Sequence, residues 1–296
     1  MVFATEQLRT KDSIYTRSAR FDDEQRALTD DELFGLAPSI FATEAHESRS
    51  DRFAAIATID VLRAIAKEGF YPVGAKQSTA RDPVKALYTK HMVRLRKLDG
   101  SVRKVGDSIF EIMLKNANDG TARYNLMGGL WRIRCANSLV SHEKTIEEIA
   151  VRHTGDAAMG VLEASIKLID QSDKVLMTAA RWGRIDMDEP ERFAFAKKAH
   201  ALRFEGKTYG VATAVGPERL LEAKRAGDKG TDLWTVFNVV QENIIKGGQE
   251  GEGHDGKGKA CRYKSRPVKS IDADVTMNTA LWGLADEWAS QRGVRV

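Results

Sequence analysis

The stretch Ile-Phe-Glu-Ile-Met-Leu-Lys-Asn-Ala-Asn-Asp-Gly-Thr-Ala-Arg-Tyr-Asn-Leu-Met, residues 109–127, contains the clearest hairpin signal of this sequence. Its Asn118-Asp119-Gly120 segment favours a tight turn, because such a turn needs positive φ at its central residues and Asp-Gly adopts that conformation at little cost. The segments on either side of the turn are rich in apolar side chains. We therefore expect two antiparallel strands here.

The residues that follow predict a third strand. Gly128-Gly129 favours a second turn, which would lead into a strand at Leu130–Cys135. Successive side chains of a strand point to opposite faces, so Arg132 and Arg134 would lie together on one face. Three antiparallel strands with two displayed arginines are therefore expected.

The preceding residues extend the sheet and begin its helical cover. In Lys90–Lys97 apolar residues alternate with Arg94 and Arg96, which predicts a strand with one basic side. A further strand is expected at Phe70–Ala75. Apolar residues at intervals of three and four predict a helix over Asp51–Lys67.

The remaining elements are predicted to be helical. Thr29 and Glu32 have the spacing of a capping box and predict a short helix after them. Four more helices follow from caps and apolar periodicity: Asp156–Trp182, Glu191–Phe204, Asp232–Ile245 and Asp274–Ala289. The expected fold class is α+β, a small antiparallel sheet with a β-β-β-α core packed by helices, with a helical C-terminal half. We expect an arm with a short helix at residues 1–50 and a single α+β domain at 51–296.

Residues 247–258 contain six glycines among twelve residues. Such a segment loses much conformational entropy on ordering and has little apolar surface to bury, so it predicts a mobile loop at about 247–269.

Positive charge is concentrated in two parts of the sequence. Residues 1–60 carry 7 Lys and Arg against 12 Asp and Glu, whereas residues 61–135 carry 15 against 6. Residues 257–269 hold six basic side chains and no acidic one. Such concentrations attract phosphate backbones, although an ordinary solvated surface is the alternative.

Motifs for catalysis, metals and membranes are missing from the sequence. The two cysteines are far apart, and the six histidines have no paired-ligand spacing. No glycine-rich segment has the surroundings of a phosphate-binding loop, and no catalytic triad motif occurs. No apolar run approaches the roughly 18 to 20 residues that cross a bilayer. We expect no cofactor, no metal and a cytoplasmic location, and an enzymatic activity is left open.

The basic residues predict contacts to nucleic acid. A groove that follows phosphates with Lys and Arg, helped by a stacking aromatic side chain, binds single strands without reading sequence. The expected contact residues are Arg94, Arg96, Lys97, Arg132, Arg134, Lys257, Lys259, Arg262, Tyr263, Lys264, Arg266 and Lys269. Single-stranded DNA is the expected partner, with RNA left open.

Several motifs in the same order resemble a phage- and plasmid-like family of unknown function, domain of unknown function 932. The resemblance extends from about Phe41 to Ala289. Its motifs are Lys90–Arg96, Asn116–Thr121, Gly128–Val140, His153–Asp156, Asp232–Asn243, Ser270–Asp272 and Asn278–Trp282. The resemblance implies a gene carried by mobile elements and assigns no catalytic residue.

At the level of the fold, three strands followed by a long helix are similar to the core of phage single-strand annealing proteins. This similarity implies a homo-oligomer whose basic groove holds DNA during recombination or replication. Two other functions stay open: a host-interaction protein of the anti-restriction type, which would act through its acidic N-terminal arm, and an enzyme of nucleic-acid metabolism.

Overall fold

The computed structural model describes residues 26–50, 53–98, 104–105, 108–132, 137–140, 149–151, 163, 167–168, 172–205, 214–254 and 257–293. The chain divides into two compact units, residues 1–176 and 177–296. The boundary falls within the predicted Asp156–Trp182 helix, and the single domain predicted at 51–296 stays a prediction.

The first unit is built on one antiparallel sheet. Its strands are β1 (Phe70–Gln77), β2 (His91–Lys97), β3 (Lys104–Val105), β4 (Ser108–Asn116), β5 (Tyr124–Arg132), β6 (Asn137–Val140) and β7 (Ile149–Val151). The order across the sheet is β1-β2-β4-β5-β6, with β3 paired to β4 and β7 paired to β5. Neighbouring strands along the chain are mostly neighbours in space, as short connections favour.

The predicted hairpin is confirmed and the predicted second turn is wrong. Lys115 of β4 pairs with Asn125 of β5, and Gly120 has a φ of 74° in the turn between them. In contrast, β5 continues unbroken through Gly128 and Gly129. Pairing with β4 holds both glycines in the sheet, so the segment that was expected to form two strands forms one long strand.

Short helices accompany the sheet in the first unit: α1 (Asp30–Leu36), a 3₁₀ turn (Pro38–Phe41), α2 (Thr58–Ala66) and α3 (Pro83–Ala86). The capping box that Thr29 and Glu32 predicted is present at the start of α1. Helix α2 begins at Thr58, later than the predicted Asp51. It buries Ile59, Leu62 and Ile65, which confirms the apolar periodicity within the helix itself.

Helices dominate the C-terminal part of the chain. They are α4 (Ser172–Trp182), α5 (Glu189–Phe204), α6 (Leu233–Lys246) and α7 (Ile271–Gln291), with 3₁₀ turns at Pro217–Leu221 and Ala226–Asp228. A two-stranded hairpin, β8 (Glu250–His254) and β9 (Ala260–Lys264), lies between α6 and α7 in the chain. Much of the predicted Asp156–Trp182 helix lies outside the described residues.

An aromatic cluster forms the core of the second unit. The Trp182 and Trp282 rings lie 4.5 Å apart, and Trp234 and Phe237 of α6 complete the cluster. Trp182 and Trp282 are almost fully buried. Burying several large aromatic side chains together is a strong source of stability.

The fold class is α+β, as the sequence predicted: an antiparallel sheet packed by helices, followed by a mainly helical C-terminal part. Within the described ranges, no helix combines the length and apolar character that would let it cross a membrane.

Candidate nucleic-acid interface

Arg94 and Arg96, predicted to display positive charge on β2, are buried and bound to Glu111 of β4. Arg94 is 2% exposed, Arg96 7% and Glu111 1%. Arg96 Nη2 donates to Glu111 Oε1 at 2.6 Å, and Arg94 Nη1 lies 3.3 Å from Glu111 Oε2. The prediction that these two arginines contact phosphates on an open face is therefore wrong for this conformation, because both sides of β2 are covered.

Gly74 of β1 provides the room that Arg94 occupies. The two residues are opposite each other in the β1–β2 pairing. A Cβ atom at position 74 would lie 2.7 Å from Arg94 Nη2 and 2.8 Å from Arg94 Nε, closer than ordinary contact allows. The missing side chain thus leaves room for the guanidinium beside Glu111.

The other basic residues predicted on the sheet fall into two groups. Lys97 ends β2 and is half-buried. Arg132 is the last residue of β5, and Arg134 lies outside the described residues, as does the Arg132 side chain. The predicted contacts of Arg132 and Arg134 with nucleic acid therefore stay a prediction.

The glycine-rich segment, predicted as a mobile loop, contains a two-stranded hairpin. Strands β8 and β9 pair from Glu250 opposite Lys264 to His254 opposite Ala260. Backbone bonds continue the pairing to Gly248, whose N–H donates to the Ser265 carbonyl at 2.8 Å. We call residues 250–269 the basic hairpin.

Two glycines of β8 are explained by a close approach rather than by flexibility. A Cβ atom at Gly251 would overlap the carbonyl oxygen of Ala214, and one at Gly253 would lie 3.0 Å from the Ala214 Cβ. Alternate residues of a strand share a face, so the glycines turn one face of β8 towards residue 214. The glycines of the Gly-Glu-Gly alternation therefore allow β8 to pack closely against Ala214.

The opposite face of the hairpin carries charge of both signs. Lys264 Nζ lies 2.8 Å from Glu250 Oε1, and Arg262 Nε lies 3.5 Å from Glu252 Oε1. The Arg262 side chain is 87% exposed and that of Lys264 is 65% exposed. The hydrogen bond from Lys264 lowers the pKa of Glu250, so this carboxylate is ionised at neutral pH.

Seven predicted contact residues lie on this one element, six of them basic and the seventh Tyr263. The six side chains are exposed and belong to Lys257, Lys259, Arg262, Lys264, Arg266 and Lys269. Arg203 of α5 donates to the Arg266 carbonyl at 3.0 Å and holds the base of the hairpin. Tyr263 is half-buried, and its hydroxyl donates to the His254 carbonyl at 3.2 Å. Its ring is therefore partly engaged by the protein.

Sequence reasoning missed the acidic partners of these cations. Glu111 was an isolated acid in an apolar strand, Ile109–Leu114, and that isolation is the signal that could have identified a buried pair. Glu250 and Glu252 alternate with glycines, which indicates a strand with one charged face.

A cavity of about 470 Å³ lies in the second unit, beside the start of α5. Its lining combines charges of both signs with apolar side chains, among them Glu189, Arg192, Phe193, Lys229 and Val236. Neither histidine nor cysteine lines it. In the described part of the chain, no group of three or more His, Cys, Asp or Glu residues could hold a metal ion.

His91 lies in a buried network of hydroxyl groups. Its Nδ1 atom is 2.9 Å from Ser39 Oγ, and its Nε2 atom is 2.9 Å from Thr58 Oγ1. Asn116 Nδ2 donates to the same Thr58 oxygen at 3.0 Å. All four residues are fully buried, so the network connects β2 and β4 to the helices and gives no substrate access. Asp119 Oδ1 accepts from the Thr121 backbone N–H at 2.9 Å within its turn.

Burial of His91 makes the first unit sensitive to acid. Desolvation lowers the pKa of His91 to about 4 from an ordinary value of 6.5. The unfolded chain therefore binds the proton more tightly, and stability falls as the pH drops from about 6.5 towards 4. Between pH 7.5 and 5 we expect a loss of about 2 kcal/mol from this group in urea unfolding.

The matched variants isolate this effect. His91→Gln should remove the loss of unfolding free energy that this group causes between pH 7.5 and 5. His46→Gln, at a more accessible histidine of the same unit, should leave that loss in place. An unchanged pH slope in His91→Gln would contradict the assignment.

Comparisons with known proteins cover nearly the whole chain. The sequence pattern of the family described as a domain of unknown function (DUF932) matches residues 45–282. UPF0380 protein YafZ of Escherichia coli (strain K12) is 38% identical over 266 residues, which are 90% of this chain and 93% of that protein. UPF0380 protein YfjQ of the same organism is 37% identical over 266 residues, with the same coverage. No solved structure matches.

Proposed function

We propose that this chain, which belongs to the family described as a domain of unknown function (DUF932), binds single-stranded DNA through its phosphates. The contact surface in this proposal is the basic hairpin. The observation that carries it is the set of six exposed basic side chains at residues 257–269, with no acidic residue in that range. Contacts of Lys and Arg with phosphates release condensed counterions, which drives binding whatever the base sequence.

Two features of the hairpin support phosphate contact rather than base recognition. Arg262 and Lys264 lie on one face of β9, and the other four basic residues precede or follow that strand in the chain, which suits a repeating backbone charge. The half-buried Tyr263 has its hydroxyl bound to the His254 carbonyl, which limits its use as a stacking platform. Binding is therefore proposed to be independent of sequence.

The wider proposal is a role in DNA recombination or replication of phages or plasmids, with annealing of complementary strands by a homo-oligomer. Annealing requires that the protein hold the backbone while the bases stay available to pair. A surface that contacts phosphates alone is compatible with that requirement. Arg132 and Arg134 of the sheet would add contacts in this scheme.

The expected result of neutralising the hairpin is a large loss of affinity. In Lys257→Gln/Lys259→Gln/Arg262→Gln/Lys264→Gln, binding of a fluorescent oligothymidylate should weaken on the order of 100-fold at low salt. The slope of log affinity against log salt should become shallower by about 1.4 to 3, since each lost contact to a single strand contributes roughly 0.7 and Arg262 and Lys264 are paired with carboxylates. Fluorescence anisotropy across a salt series measures both quantities.

A charge-matched control separates the surface from the net charge. The variant Arg184→Gln/Lys197→Gln/Lys224→Gln/Lys229→Gln removes the same charge from exposed positions elsewhere in the second unit. It should keep most of the affinity. Equal losses in the two variants would mean that the hairpin is not the contact surface, and no binding by the wild type at low salt would refute the proposal.

A further pair of substitutions tests whether the sheet contributes to binding. Arg132→Glu/Arg134→Glu should weaken binding of the oligothymidylate relative to wild type, because the two arginines are proposed to add phosphate contacts. An unchanged affinity would restrict the contact surface to the hairpin. If binding is established, an annealing assay with complementary oligonucleotides tests the wider role.

A further inference from the structure

The two central cations of the basic hairpin already have anionic partners. Glu250 is directly opposite Lys264 and Glu252 is directly opposite Arg262, and each pair lies within ion-pair distance. Since Gly251 and Gly253 face residue 214, all four charged side chains lie on the other face. A phosphate that approaches Arg262 or Lys264 therefore meets a carboxylate at the same place.

We propose that Glu250 and Glu252 act as built-in competitors of phosphate, which set the affinity and the salt dependence of the basic hairpin. This inference rests on the proposed function. Direct cross-strand pairs of opposite charge hold the cations in register with the carboxylates, so a bound strand must displace both carboxylates or lie beside them. In either case part of the attraction between phosphate and cation is offset.

The exposure of the pairs makes this competition reversible. The side chains of Glu250 and Glu252 are 69% and 80% exposed, and those of their partners are similarly open to solvent. Exposed ion pairs are weak, so phosphates can replace the carboxylates without unfolding the hairpin. An isolated anion exchanges one weak pair for another, whereas a nucleic-acid strand brings many charges and releases many counterions. The carboxylates therefore favour dense, repeating polyanions.

The test compares Glu250→Gln/Glu252→Gln with wild type, by anisotropy of a fluorescent oligothymidylate of about 20 nucleotides, longer than the site of a typical single-strand-binding fold. Glutamine keeps the size of each side chain and removes its charge. We expect affinity to rise about tenfold and the salt slope to steepen by about 1.4, because two more cations become available to the single strand.

The control is Glu222→Gln/Glu287→Gln. It makes the same change in net charge at two exposed carboxylates outside the hairpin segment, which are paired with Arg219 and Lys198. It should give only a small, non-specific gain. Urea unfolding should confirm that both variants keep wild-type stability, since all these pairs are exposed.

The outcomes separate the two proposals. A gain in affinity and slope beyond the control supports the competition. If wild type binds and the four-fold neutralised hairpin does not, but Glu250→Gln/Glu252→Gln matches the control, the competition is overturned and the proposed function stands. If neither wild type nor Glu250→Gln/Glu252→Gln binds at low salt, both proposals are overturned.

Discussion

Glu111→Gln is expected to destabilise the first unit by about 3 to 5 kcal/mol, because it leaves two buried guanidinium groups without the carboxylate that binds them. The substitution barely changes the shape of the side chain, so the loss reports charge rather than packing. Glu111 and Arg94 are almost completely shielded from water, and the carboxylate contacts Arg94 and Arg96 through different oxygens. Urea unfolding, combined with hydrogen exchange of β2 and β4, measures the effect.

An exposed ion pair in the same unit provides the comparison. Arg63 Nη2 lies 3.2 Å from Asp30 Oδ2, with both side chains more than half exposed. Asp30→Asn should cost less than about 1 kcal/mol, the range typical of surface pairs. Similar losses in the two variants would mean that the Glu111 cluster is solvated, contrary to its burial in the structure.

Trp282→Ala is expected to cost the second unit about 3 to 5 kcal/mol, the usual loss when a buried Trp or Phe is truncated. The Trp282 ring contacts Trp182, Trp234 and Phe237, so its removal opens a cavity in the middle of the aromatic cluster. Unfolding in urea with hydrogen exchange of α6 and α7 gives the free energy. Trp288 of the same helix is only half-buried and contacts Phe195, so Trp288→Ala should lose clearly less.

A conservative change at the same position tests the origin of the effect. In the described part of the chain, the Trp282 indole N–H has no hydrogen-bond acceptor. Trp282→Phe removes that unsatisfied donor while it keeps an aromatic ring. Its loss of unfolding free energy should therefore be much smaller than that of Trp282→Ala. Equal losses in the alanine and phenylalanine variants would contradict a cavity as the main cause.

Local signals predicted the elements that depend on local chemistry. The capping box at Thr29 specified the start of α1, because it satisfies backbone amides within one turn. Gly120 likewise marks the β4–β5 connection, where its φ is 74°, although residues 117–123 form a longer connection than the predicted tight turn. The ranges predicted for α5, α6 and α7 lie within two or three residues of the observed helices at each end, since apolar periodicity is a property of the segment.

The errors arose where a distant segment decides the outcome. Gly128-Gly129 is compatible with a turn or a strand, and only the pairing with β4 selects the strand. Alternation placed Arg94 and Arg96 on one face of β2, as observed, but it gives no information on whether that face is covered. Glu111 lies on another strand, so the pairing that buries the arginines depends on sheet register.

The candidate interface was predicted in part. Its basic side chains were identified from composition alone, because a run of six cations without an acid is unusual at any position. The pairing of β8 with β9 was not predicted, because glycine content indicates flexibility unless the neighbouring surface is known. Ala214, which explains Gly251 and Gly253, is more than thirty residues away in the sequence.

The packing of β8 against Ala214 restricts how this region can vary in length. Because side chains alternate along a strand, losing or gaining one residue within β8 would move its charged side chains to the face now occupied by glycines. A carboxylate would then meet the Ala214 carbonyl, where even a methyl group does not fit. Length changes in β8 should therefore be tolerated in steps of two residues. In the connection between β8 and β9, at residues 255–259, changes of a single residue should be tolerated as well.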